Sequence, residues 1–185
     1  MTTHATSRLT LPVSERDHIR GSATALVSLV EYGDYECPYC GEAYLVVEEL
    51  QRALGDRLRF VFRHFPLAQM HPHAQVAAEA AEAAGAQDKF WEMHATLYTH
   101  QRALDGAHLV GYAIALGLDP ASFRHALDGR FYEKRVREDF LSGVRSGVNG
   151  TPTFFINGVR YDGPRDFDSL LLVLANVAEE KSRLA

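Results

Sequence analysis

Residues 25–32 run A-L-V-S-L-V-E-Y, an almost unbroken β-rich apolar stretch. Such a run predicts a strand covered on both faces. It stops at Gly33-Asp34, and Cys37 and Cys40 follow at once. Ala43, Val46, Val47, Leu50, Ala53 and Leu54 then recur at helical spacing, and Gly55 ends that helix. Residues 58–65, L-R-F-V-F-R-H-F, alternate well enough for a second strand, closed by Pro66. The opening therefore reads β, cysteine pair, α, β.

The middle of the chain carries helical patterns and no convincing strand. Residues 74–84 are rich in Ala and Glu, and Phe90, Trp91, His94, Leu97 and Tyr98 form a stripe. Shorter helices are predicted over 109–116 and 121–127, and a longer one over 131–144 with Val136, Phe140 and Val144 four apart. Arg130, Lys134 and Arg137 share one side of the last; a solvated face is the expected reading, an anion site the sharper one. After Gly150 the β pattern returns over 153–156 and 159–161, joined at Asn157-Gly158, a strong hairpin turn. Phe167, Leu170, Leu171, Leu174 and Val177 close the chain with an amphipathic helix.

This order predicts an α/β fold with a loose N-terminal arm over 1–20, which contains Pro12 and has room for a short strand over 9–13. A discontinuous domain is expected over 21–66 and 147–185, interrupted by an all-helical lobe over 67–146.

Composition narrows the function. The 185 residues are 46% apolar and 23% charged, globular values that exclude global disorder. A chain of this size hides about 70% of its unfolded surface, enough for a core without staples. Nineteen basic against twenty-four acidic side chains give a net charge of −5, which argues against a nucleic-acid surface. No apolar run approaches the roughly 20 residues that span a bilayer. The first twenty residues lack the apolar core of a secretory signal, so a cytoplasmic location is expected, with no membrane partner.

The two cysteines are three positions apart, and a bond between them would close too short a loop to restrain the unfolded chain much. In a reducing compartment such a pair is catalytic or metal-binding more often than structural. A thiol at a helix start lies among backbone N–H groups without partners, at the positive end of the dipole, and both favour thiolate. Pro38 suits the first helical position because its missing N–H would have no partner there. The spacing predicts Cys37 at an exposed helix tip, as the attacking thiol, and Cys40 one turn in, as the resolving thiol. A zinc half-site completed by His64, His71 or His73 competes, but the H-P-H spacing is not a common second pair, and no metal is expected. Inert buried thiols are the other bland reading.

The strings V-E-Y-G-D-Y-E-C-P-Y-C-G, F-R-H-F-P-L, H-P-H-A, F-W-E-M-H and G-V-N-G-T-P-T-F-F-I-N-G together resemble the DsbA-like family of thioredoxin-fold oxidoreductases, its cytoplasmic branch above all. The resemblance runs from about residue 25 to the C-terminal helix. It implies a thioredoxin-like fold whose helical block is the family's inserted lobe, thiol–disulfide exchange with protein substrates, and no cofactor. Pro152, after Thr151, matches the family's cis-proline, whose loop offers backbone to an extended substrate. Thr151 matches its substrate-contacting neighbour, and Pro38 and Tyr39 join them as substrate-binding positions. Glu31 matches an acid that the fold buries beneath the cysteines, where a carboxylate could accept the Cys40 proton. His64, His71 and His73 fall on the family's framework, where capping and packing are expected.

The chain departs from the family's periplasmic oxidants, which resemble it but carry histidine beside the resolving cysteine; Tyr39 brings no charge there, and Asp34 and Glu36 stand nearby. Carboxylates disfavour a thiolate, so a weaker oxidant is expected, between the anchors near −120 mV for DsbA and near −270 mV for thioredoxin. C-P-Y-C is also a glutaredoxin choice, which keeps a glutathione-dependent reductase as an alternative. A client-binding module without turnover is the other. Glutathione or a thioredoxin-type protein would then be a redox partner beside the protein substrates.

Overall fold

The computed structural model describes residues 7–184, so the first six residues of the expected arm lie outside the described residues. The elements follow as β1 (His18–Arg20), β2 (Val27–Gly33), α1 (Pro38–Leu54), β3 (Leu58–His64), α2 (Ala74–Gly85), α3 (Phe90–Thr99), α4 (Gly106–Ala115), α5 (Pro120–Asp128), α6 (Glu133–Arg145), β4 (Thr153–Ile156), β5 (Val159–Tyr161) and α7 (Phe167–Leu184). The strands form one sheet in the order β1-β3-β2-β4-β5. β1 runs antiparallel to β3, and β4 antiparallel to both β2 and β5. β2 and β3 are joined through α1, the helical crossover that parallel neighbours need.

By packing, the chain forms two compact units. Among the described residues, one holds 7–32, Glu42–Arg63 and 142–184; the other holds Gly33–Gly41 and His64–Leu141.

The first unit contains nearly all of the sheet. Every residue of β2 is buried, as its unbroken apolar run requires. Leu29, Val30, Phe62 and Phe155 of the strands and Leu50, Leu170 and Leu174 of α1 and α7 are all at 0% exposure and make its core. Asn157 and Gly158 have φ of 47° and 80°, the left-handed pair that a tight hairpin turn needs.

The N-terminal segment is not loose from residue 9 onwards, and it forms no strand over 9–13. Leu9 N–H donates to the Gly158 carbonyl at 2.9 Å, and Thr10 N–H to Ser146 Oγ at 3.0 Å. Arg63, fully buried in β3, donates to the carbonyls of Leu11 and Pro12 at 2.9 and 3.1 Å. It also donates to both carboxylate oxygens of Asp17 at 2.8 and 3.0 Å and to the Tyr32 hydroxyl at 3.0 Å. With a guanidinium taking these carbonyls and Pro12 offering no N–H, no ladder can form here. The first strand comes later, at His18–Arg20.

The second unit is helical. α2 packs against α3, α4 and α5, and nine of its twelve residues are buried, seven of them alanine. Two are acids with cationic or imidazole partners: Glu79 accepts from Arg130 at 3.0 Å, and Glu82 pairs with His64 Nε2 at 2.9 Å. Arg130, just before α6, also pairs with Glu133 at 3.3 Å, so this arginine meets acids of its own chain. Asp105 and Asp119 cap α4 and α5 by accepting backbone N–H groups, with Pro120 at the first turn of α5. These caps explain why both helices start before the apolar spacing alone indicates.

Candidate active site

β2 ends at Gly33 and α1 begins at Pro38, so residues 34–37 form a turn between them. Cys37 N–H closes it onto the Asp34 carbonyl at 3.2 Å. The Cys37 carbonyl accepts Cys40 N–H at 3.1 Å and Gly41 N–H at 3.2 Å, the first bonds of α1. Cys37 is thus the cap residue and Cys40 lies in the first turn.

Cys37 is 4% exposed and Cys40 0%. The depth order follows the spacing, but Cys37 is not at an exposed tip. Helical geometry alone leaves the tip open; here other side chains are drawn against the turn. Pro38 and Tyr39, between the cysteines, are the exposed pair, with Tyr39 at 64%.

Each residue of the turn is held by the helical unit. The Asp34 carboxylate, buried, accepts Glu36 N–H and Leu67 N–H at 2.8 Å each and pairs with His71 Nδ1 at 2.8 Å. The buried Tyr35 hydroxyl meets His94 Nδ1 at 3.0 Å, and its ring packs on Tyr98 with centroids 4.9 Å apart. Glu36 takes His73 at two points, its backbone N–H at 2.6 Å and its Nδ1 at 2.9 Å. Gln101, in the turn after α3, donates its side-chain amide to the carbonyls of Tyr35 and Cys37 at 2.9 and 2.8 Å.

Electrostatics follow from this geometry. Burial is the largest influence on His71 and disfavours its charged form, but the Asp34 hydrogen bond and the charges of Asp34, Cys37 and Glu36 outweigh it. The net effect holds His71 above the ordinary histidine value.

His71 and His73 lie on the framework, where each holds one of the two acids of the cysteine turn. His64, their companion in the alternative zinc set, has Glu82 as its own partner. The acids at 34 and 36 pair with the histidines at 71 and 73, but nothing local in the sequence joins the two segments. Gln101 left no sequence signal.

The other anticipated residues belong to the sheet unit. Glu31 is 1% exposed in β2, in register with Phe154 of β4. The Thr151-Pro152 peptide bond is cis, Pro152 is buried and Thr151 half-buried. The Pro152 carbonyl accepts from Arg165 at 2.9 Å, and Thr153 Oγ donates to the Gly150 carbonyl at 2.7 Å, shaping the entry to β4.

A buried thiol pair at the start of a helix, with one member capping it, is an arrangement suited to reversible sulfur chemistry. Among the described residues, no helix is long and apolar enough to cross a membrane.

Comparison with known proteins agrees with this architecture. The chain is 51% identical over 163 residues to Na(+)/H(+) antiporter NhaA 1 of Salinispora arenicola, covering 88% of this chain and 25% of that protein. It is 46% identical over 164 residues to Na(+)/H(+) antiporter NhaA 1 of Mycobacterium sp. strain KMS, covering 86% of this chain and 26% of that one. The chain thus spans 25–26% of the length of these curated relatives. Among solved structures, oxidised BdbD from Bacillus subtilis superposes with a TM-score of 0.82 at 22% identity, covering 94% of this chain and 97% of that one. A thioredoxin-like oxidoreductase from Silicibacter pomeroyi gives 0.74 at 25% identity, over 93% and 95% of the two chains. Wolbachia pipientis alpha-DsbA1 gives 0.82 at 18%, over 96% and 98%. The fold is thioredoxin-like α/β with a helical insertion, as the sequence motifs imply. The family profile described as thioredoxin matches residues 13–175, and the chain belongs to that family.

Proposed function

We propose that the chain is a DsbA-like protein thiol–disulfide oxidoreductase that works through Cys37 and Cys40. The observation that carries this reading is the placement of its two cysteines, one capping α1 and the other buried in its first turn. That pairing sets one sulfur at the start of the helix for attack and a second within the same turn to resolve the product.

In the oxidising direction, a client thiolate attacks Cys37 Sγ of the Cys37–Cys40 disulfide, and Cys40 leaves as thiolate. A second client thiol, deprotonated, attacks the client sulfur bound to Cys37, and Cys37 leaves. The client loses two electrons and two protons, and the cysteine pair gains them. The reducing direction is the same sequence reversed, with Cys37 thiolate attacking a client disulfide.

The remaining roles rest on the motif resemblance. Glu31, at 1% exposure, suits an acid that takes or returns the Cys40 proton. Thr151 and Pro152 offer backbone to client, and the exposed Pro38 and Tyr39 meet it beside Cys37. The cytoplasmic placement rests on the likeness to that branch of the family. Glutathione or a thioredoxin-type protein is the proposed source or sink of electrons.

The test compares two substrates: a reduced, unfolded protein for the oxidised chain, and a small glutathione mixed disulfide with reduced glutathione for the reduced one. Oxidation of the protein thiols supports this reading. Rapid turnover of the glutathione mixed disulfide alone would move it to a glutaredoxin-like reductase, and client binding without redox change to a binding module.

A further inference from the structure

Tyr39, beside the second cysteine, brings no charge to the turn. A histidine reaches that turn from another direction. Asp34, three residues before Cys37, has its backbone carbonyl on Cys37 N–H at 3.2 Å and its carboxylate on His71 Nδ1 at 2.8 Å. We propose that His71, oriented by Asp34, is a positioning residue whose imidazolium stabilises the Cys37 thiolate. This rests on Cys37 being the nucleophile of the exchange proposed above.

The orientation follows from donor and acceptor counting. Asp34 also receives two backbone N–H groups, from Glu36 and Leu67, each at 2.8 Å, so its carboxylate acts as acceptor throughout. His71 Nδ1 must therefore carry the proton in that bond, and Nε2 is the ring atom that gains or loses one. The side chain is 17% exposed while Asp34 is fully covered, so the ring is fixed at one end and reachable by protons at the other.

The charges that act on the ring are those of Asp34, Cys37 and Glu36. Asp34 is in direct contact, and Glu36 is itself occupied by His73 through two bonds, at 2.6 and 2.9 Å. Each acid of the turn is thus matched by a histidine from the segment after β3. The third influence is the negative charge of Cys37, which helps keep His71 protonated. Interaction between two titrating sites is reciprocal: what the thiolate does for the imidazolium, the imidazolium does for the thiolate. The two carboxylates beside Cys37, which alone would oppose a thiolate, are thereby balanced, and His71 supplies what Tyr39 does not.

The experiment reads this coupling from both ends on the intact chain. In the first arm, the rate of Cys37 alkylation by iodoacetamide is followed against pH in the reduced protein and in His71→Gln. The midpoint should rise by about one pH unit in the variant, a roughly tenfold loss of rate well below that midpoint. In the second arm, the His71 ring is titrated by NMR in the native chain and in Cys37→Ser. Its midpoint should fall in the variant by a comparable amount. An unmoved Cys37 profile in folded His71→Gln, or an unmoved His71 titration in Cys37→Ser, overturns the proposal. If His71→Gln does not fold, the second arm decides alone. Neither arm uses a client, so a chain that shows the coupling yet never forms a mixed disulfide overturns the functional reading and leaves this one standing.

Discussion

Gln101 and Cys37 are 64 positions apart in sequence and joined by a 2.8 Å hydrogen bond from the glutamine amide to the cysteine carbonyl. The same amide nitrogen serves the Tyr35 carbonyl at 2.9 Å, so both of its protons are committed to the turn that presents the cysteines. Gly41, one residue beyond Cys40, completes the arrangement: a Cβ there would run into the Gln101 side chain. A flexible side chain would ordinarily yield, but this one is tied at its end.

Gln101→Ala should therefore lower stability by about 1–3 kcal/mol, the usual cost of leaving covered polar groups without partners. Gly41→Ala should cost a similar amount alone and much less in the Gln101→Ala background, since the clash is then gone. Urea denaturation of the four proteins, compared as a double-mutant cycle, checks this. Strict additivity would mean that the two residues do not meet.

The buried Arg63–Asp17 pair, with both side chains at 0% exposure, gives a larger effect. Burial is the main influence on the Arg63 guanidinium and works against its charge, while the Asp17 hydrogen bond and the interactions with Tyr32 and Asp17 more than offset it. Asp17→Ala strands that charge in the interior and should cost about 3–5 kcal/mol. It should also free the segment around Leu11 and Pro12, which hydrogen exchange would detect as early local opening.

How far this could be read in advance divides by the range of the interaction. β4 and β5 fall where alternation and the Asn157-Gly158 turn predict them, because those signals are local. The cysteine pair and the helix that follows it were legible for the same reason. The segment around Thr10 reads as loose in the sequence because its anchors, Ser146 and Arg63, lie far along the chain. The exposure expected for Cys37 fails over the same range, since the turn that carries it is held by Gln101, 64 positions further on. The pairing of His71 and His73 with Asp34 and Glu36 joins two segments far apart in the sequence. A pairing of that kind becomes visible only once topology brings the two segments together.

A pH dependence follows from His71. Its folded value lies above the unfolded one near 6.5, so its contribution is fully present below that value and is lost as pH rises through the folded one. The stability difference between the native chain and His71→Gln should thus be largest in mildly acidic buffer and shrink toward alkaline pH. Denaturation at a series of pH values checks the sign; a gap that widens with rising pH would contradict it.

The redox couple is expected between about −120 and −270 mV, since Tyr39 withholds the charge of the strongest oxidants while His71 restores part of it. Loss of thiolate support makes the reduced form less favoured, so His71→Gln should shift the couple toward the reducing end. Equilibration against defined ratios of a reference dithiol and its disulfide reads both values.

The central claim is that Cys37 exchanges disulfides and Cys40 resolves the product, and trapping tests it most directly. Reduced Cys40→Ser is mixed with a protein carrying an accessible disulfide, and the products are mapped by mass spectrometry without reductant. The account predicts one covalent adduct per chain, on Cys37, released by dithiol, and no adduct with Cys37→Ser. Absence of the Cys37 adduct, or an equal adduct through Cys40 in Cys37→Ser, would contradict it.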